Sequence, residues 1–172
     1  MCAARNPLVN NAILVSPMES SLTTNAAIQS TPLPDQLLSP LSNFLLDLNA
    51  RTVLHMARAV VPHMLGQGSG KIVNIAAFAA QKGAAQMGAY VASKAVVVRI
   101  TEAMAAELRA RGINVNCVMP TIIDTPENRK SMPDADPKQW VAPGDLANVI
   151  EFLASERSRA IHGAAIPVTG LV

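Results

Sequence analysis

Gly70-Lys71-Ile72-Val73-Asn74-Ile75 and, after one long helical stretch, Ile113-Asn114-Val115-Asn116-Cys117-Val118 decide the fold. Each is a short β-branched run bounded by turn formers: Gly68-Ser69-Gly70 opens the first, and Gly112 and Pro120 bracket the second. Between them, from about Met87 to Arg111, apolar residues recur at Val97, Ile100, Met104 and Leu108, the period of a helix. A strand, a long helix and a second strand in that order predict parallel pairing with the helix laid across the sheet.

The pattern extends in both directions. Upstream, Ser42 is a candidate N-cap for a helix reaching about Leu65, with Gly66 as its stop and Pro62 expected to kink its last turn. Downstream, Pro143 to Ala154 reads as a third helix and Ala164-Ala165-Ile166-Pro167-Val168 as a short strand. At the front, Leu8-Val9-Asn10-Asn11-Ala12 reads as one more, shortened strand, and residues 13–42, rich in Ser, Thr, Pro and Asn, as an irregular loop. The expected architecture is α/β: a truncated, Rossmann-type, doubly wound parallel sheet of about four strands and three main helices. Residues 1–172 would form a single partial domain.

Composition narrows the function. Half of the 172 residues are apolar, enough for one core, and the formal net charge of +2 is nearly balanced. With five aromatic residues and scattered basic ones there is no base-stacking platform, so nucleic acid is not an expected partner. Apolar stretches are too short for a membrane-spanning helix, and no secretory pattern is visible. Cys2 and Cys117 form no CxxC pair or disulfide framework, which fits a cytoplasmic setting. His55, His63 and His162 have no carboxylate or thiolate companions in metal-ligand spacing, so no metal site is expected.

Tyr90-Val91-Ala92-Ser93-Lys94 carries the chemistry. Residues four apart share a helix face, so the phenol and the ammonium can enter one cleft. A nearby cation lowers the phenol's pKa, and the pair can then move a proton to or from a substrate oxygen. Alone, this spacing is a weak signal.

Its surroundings resemble the short-chain dehydrogenase/reductase family, in order, from about Leu8 to the C-terminus. Leu8–Ala12 is similar to the NNAG segment closing the family's fourth strand, with Ile13 in place of glycine; Gly70–Ile75 is similar to the fifth strand. Asp47-Leu48-Asn49-Ala50 stands where the family has its helix asparagine, and Tyr90 and Lys94 where it has its catalytic pair. Asn116–Thr125 resembles the segment that embraces the nicotinamide, with Thr121 replacing a glycine after Pro120.

The resemblance implies an oxidoreductase using NAD or NADP on a small carbonyl, alcohol or pterin-like substrate. Tyr90 would be the general acid/base, Lys94 its electrostatic partner and a ribose ligand, and Asn49 the end of a proton relay. Asn10, Ala12, Pro120, Ile123 and Thr125 would join Tyr90 and Lys94 in holding the cofactor. The two long helices would carry a homo-oligomer interface.

Two departures qualify this. Ala77 stands thirteen residues before Tyr90, where the family has a substrate-polarising serine; with Asp124–Trp140, this resembles the dihydropteridine reductase branch. The family's TGxxxGxG phosphate turn and first three strands have no counterpart in residues 1–172, and Gly66-Gln67-Gly68-Ser69-Gly70 precedes a strand and so is no phosphate cradle. The alternative reading is therefore an inactive, truncated relative acting by association.

Overall fold

The computed structural model describes residues 12–15 and 40–170. Four parallel strands form one sheet in the order β1-β2-β3-β4, with β1 Ala12–Val15, β2 Gly70–Ile75, β3 Ile113–Pro120 and β4 Ala165–Val168. The main helices are α1 Pro40–Leu46, a π-turn Asp47–Arg51 and α2 Thr52–Gln67, which run on without a break. They are followed by α3 Gly88–Leu108, the short α4 Pro126–Ser131 and α5 Pro143–Ala154.

The alternation of side chains along β2 and β3 distributes the core. Ile72, Ile113, Val115, Cys117 and Met119 face α2 and α3, where Val53, Met64, Val97, Val98, Ala105 and Leu108 meet them. Val73 and Val118 face the other way, onto Leu153 of α5 with Val141 and Val168. Every residue of β3 is buried, as expected of a strand covered on both faces. The helix stripe read from the sequence is broader in the fold. Val97 and Leu108 are buried, Ile100 and Met104 sit at its margin, and Thr101 and Ala105 complete the contact line.

Several boundaries differ from expectation. The described first strand is Ala12–Val15, so residues 13–15 are strand and not loop; this apolar run pairs in register from Ala12↔Lys71 to Val15↔Asn74. The expected strand at residues 8–11 lies outside the described residues. The first helix begins at Pro40, which its fixed φ suits to a first turn, so Ser42 falls inside the helix and does not cap it. The helix passes Pro62 and Gly66 and stops at Gly68, which takes the left-handed conformation (φ 70°) with Ser69 N–H donating to Met64 C=O at 3.3 Å. Gly112 ends the segment after α3 in the same way, at φ 76°. The glycines at 68 and 112 approach each other so closely that a Cβ on Gly112 would collide with the Gly68 carbonyl. The glycine-rich 66–70 segment is thus a packed helix-to-strand crossing.

Candidate active site

Tyr90 lies in the first turn of α3 and Lys94 one turn on, so both are carried toward the C-terminal end of the sheet. Lys94 is buried, and its ammonium donates to the Ile75 carbonyl, the last of β2, at 3.2 Å. Burial lowers the Lys94 pKa from 10.5 to about 8. Burial also raises that of Tyr90, which packs with Leu45, Met87 and Ala89. The spacing alone predicts a phenol acidified by its neighbouring cation. In the fold, withdrawal from water dominates for both groups, because each loses solvation of its charged form.

Asn49 is buried in the π-turn between α1 and α2. Its amide Nδ2 donates to Ser93 Oγ at 3.0 Å, and Ser93 Oγ donates to the Tyr90 carbonyl at 2.8 Å. Motif spacing placed Asn49 near the site but gave no sign of the π-turn, nor of Ser93 as the link. π-Turns often mark functional positions, since the extra residue re-aims the helix around it.

Ala77 is buried just beyond β2, in extended conformation, at the start of a 3₁₀ turn Phe78–Gln81. Its methyl group offers no donor where the resemblance would place a hydroxyl.

Pro120 closes β3, opposite Val168. The chain then forms a short parallel bridge, Ile123↔Val141, in which Val141 N–H donates to Ile122 C=O and Asp124 N–H to Val141 C=O, each at 2.8 Å. The Ile123 N–H takes no part in that bridge, while its carbonyl accepts from Thr125 N–H at 2.9 Å and Asn128 Nδ2 at 2.7 Å. Thr125 caps α4: its Oγ1 accepts from Asn128 N–H at 3.2 Å, ahead of Pro126 in the first turn. Arg129 grips Asp124 through both carboxylate oxygens, at 2.6 and 2.7 Å. Asn128 and the Asp124–Arg129 clasp were not anticipated, although Thr125-Pro126 followed by Asn128 is a readable helix start.

The fold thus gathers Tyr90, Lys94, Asn49 and Ala77 around the end of β2 and the first turns of α3, and carries Pro120, Ile123 and Thr125 on the segment leaving neighbouring β3. Ala12 does not join them. It pairs with Lys71 near the start of β2, about four strand residues, or roughly 13 Å, from Ile75. Asn10 lies outside the described residues. Among the described residues no glycine-rich turn joins a strand to a helix N-terminus, no three His, Cys, Asp or Glu side chains gather as a metal site, and no helix is long and apolar enough to cross a membrane.

Residues 8–136 match the family model described as short chain dehydrogenase. The chain is 33% identical to (-)-trans-carveol dehydrogenase of Rhodococcus erythropolis, over 86% of this chain and 62% of that protein. It is 30% identical to 2-(R)-hydroxypropyl-CoM dehydrogenase of Xanthobacter autotrophicus, over 95% and 65%. The structure of a gluconate 5-dehydrogenase from Burkholderia cenocepacia, in complex with NADP and tartrate, superposes with a TM-score of 0.76 at 27% identity, covering 93% of this chain and 63% of that one. Carveol dehydrogenase from Mycobacterium avium, in complex with NAD, gives 0.67 at 30% identity, covering 74% and 55%. The chain belongs to the short-chain dehydrogenase family. It spans about three-fifths of the length of the relatives it matches.

Proposed function

We propose that this chain is the catalytic portion of an NAD(P)-dependent oxidoreductase acting on a small carbonyl, alcohol or pterin-like substrate. The observation that carries the reading is the placement of Tyr90 and Lys94 on one helix. The ammonium is buried at the C-terminal end of the parallel sheet, where ligands of doubly wound folds bind.

The residues present fit the nicotinamide end of such a cofactor. Ile123 offers a backbone N–H that the Val141 bridge does not use, and the Thr125 hydroxyl, an acceptor in the helix cap, keeps its proton to donate. Lys94 supplies a buried cation able to turn from the Ile75 carbonyl to a ribose hydroxyl. When bound, the nicotinamide gives or accepts a hydride at the substrate carbon. The Tyr90 Oη holds the accompanying proton, giving it to the nascent alkoxide in reduction and taking it from the alcohol in oxidation. Its raised pKa keeps the phenol protonated at neutral pH, which suits the reductive direction. The phosphate-binding part has no counterpart among the described residues, and it would be supplied from outside them.

Ala77 bears on substrate choice. A substrate whose reduction leans on a serine donor would turn over slowly here, whereas a pterin-like substrate has less need of one. Ala77→Ser is expected to raise reduction of simple ketones by on the order of 10²-fold and to leave pterin reduction nearly unchanged. Equal effects on both would remove the argument from Ala77.

The direct test of the reading is a titration of the purified chain with NADH and NADPH, followed by nicotinamide fluorescence. Saturable binding, weakened by the missing phosphate contacts, is the expected outcome. The absence of binding up to millimolar concentrations would overturn it and leave the inactive, associating relative as the better description.

A further inference from the structure

Ser93 is fully buried, so neither substrate nor cofactor reaches it, yet its hydroxyl is engaged on both sides. It accepts from Asn49 Nδ2 at 3.0 Å and donates to the Tyr90 carbonyl at 2.8 Å. The directions are consistent: an amide N–H can only donate, and the single serine proton is then spent on the carbonyl. The bond to Tyr90 is local to α3, whereas that to Asn49 spans forty-four residues and joins the π-turn to the catalytic helix. Beside it, α1 meets the start of α3 through an apolar contact of Leu45 with Met87, Ala89 and Tyr90. A smooth apolar contact allows one helix to slide on another. A satisfied polar link beside it favours one register, because a slip strands a buried donor.

We propose that Ser93 is a positioning residue: its hydroxyl locks the Asn49 π-turn to the first turn of α3 and so sets the buried position in which Tyr90 holds its phenol. The role rests on the oxidoreductase reading above, but its physical content does not depend on a cofactor. Lys94 lies on the same helix, and the Asp47–Arg51 pair on the π-turn is exposed and closed on itself at 3.0 Å. Lys82, just beyond the 3₁₀ turn, is exposed.

The chain contains one tyrosine, which makes the test specific. Replacing it biosynthetically with 3-fluorotyrosine gives a single ¹⁹F resonance reporting on residue 90, with a phenol acidic enough to titrate while the chain is folded. Ser93→Ala is expected to shift the titration midpoint downward by about half a pH unit or more, as the loosened phenol regains the water that burial denies its charged form. Asn49→Ala should give the same shift, and the double variant no more than either single one. Ser93→Cys, which keeps the volume and weakens both bonds, should fall between, and is read alone if Ser93→Ala does not fold. A lowered melting temperature with an unmoved midpoint would reduce Ser93 to a packing residue, and shifts that add in the double variant would show that it does not act through Asn49. Failure of the nicotinamide titration would sink the enzyme reading without altering this result. If the enzyme reading holds, Ser93→Ala should lower kcat with KM little changed.

Discussion

Tyr90 and Lys94 share an interior that opposes ionisation of both, and this leaves a signature in the stability of the chain. Between about pH 8 and 10.5 the unfolded chain keeps a lysine proton that the folded chain has released, so stability rises with pH in that interval. Cys117, pushed up by burial from 9.0 to about 11, acts in the opposite sense once the unfolded thiol ionises. Tyr90, raised above 10.0, adds to the loss at higher pH. The net expectation is a urea midpoint that climbs from pH 8 to about 9, levels, and falls above 10; Lys94→Met should abolish the climb and Cys117→Ala should extend it. For catalysis, Tyr90→Phe removes only the proton-carrying oxygen. It should cut turnover by on the order of 10²–10⁴-fold while circular dichroism and melting temperature stay close to the parent's, and unchanged turnover would refute the assignment.

The segment from Thr121 to Val141 owes its shape to a few local devices more than to a core. Thr125 caps α4, Asn128 ties it back to Ile123, and the Val141 bridge anchors Ile122 and Asp124. Thr125→Ala should therefore cost about 1 kcal/mol of stability and also weaken NADH binding in the fluorescence titration, because cap and cofactor draw on one hydroxyl. Thr125→Ser, keeping the oxygen, should restore both. Gly112 is a stricter case, since it needs a left-handed backbone and has the Gly68 carbonyl against its missing Cβ. Gly112→Ala should destabilise by about 3 kcal/mol, read as a drop in the urea midpoint. The close of the helical segment after α3 and the start of α5 are legible because Gly112 and Pro143 mark them by their backbone limits. The start of the first helix was misread because Ser42 looks like a cap while Pro40, two residues earlier, already fits a first turn.

The helices cover the sheet unequally. Of the sixteen residues of α2, only Val53 and Met64 are buried, and Leu54 remains 50% exposed, with Phe44 on α1 at 51%. We propose that this apolar exposure on a long helix belongs to the homo-oligomer interface that the family resemblance implies. Leu54→Asp should shift the chain toward monomer in light scattering coupled to size exclusion without changing its helix content; a parent that is itself monomeric would end that proposal. The sheet poses the complementary question at its other boundary. Among the described residues β1 is an edge of only four residues, and the relatives' greater length leaves room for further strands beside it.

By itself the sequence determined the α/β class, the strand–helix–strand frame around β2 and β3, and the placing of Tyr90 and Lys94 one turn apart on a helix. These follow from short-range periodicity, from glycine and proline limits and from the four-residue repeat of a helix. What only the tertiary structure decided are relations between elements distant in the chain: the Asn49–Ser93 bond, the π-turn, the crossing of Gly68 with Gly112 and the remoteness of Ala12. The titration behaviour of the pair belongs to the same group. Spacing can place a cation one helix turn from a phenol, but desolvation depends on what the rest of the chain packs around them, and here burial is what moves both groups.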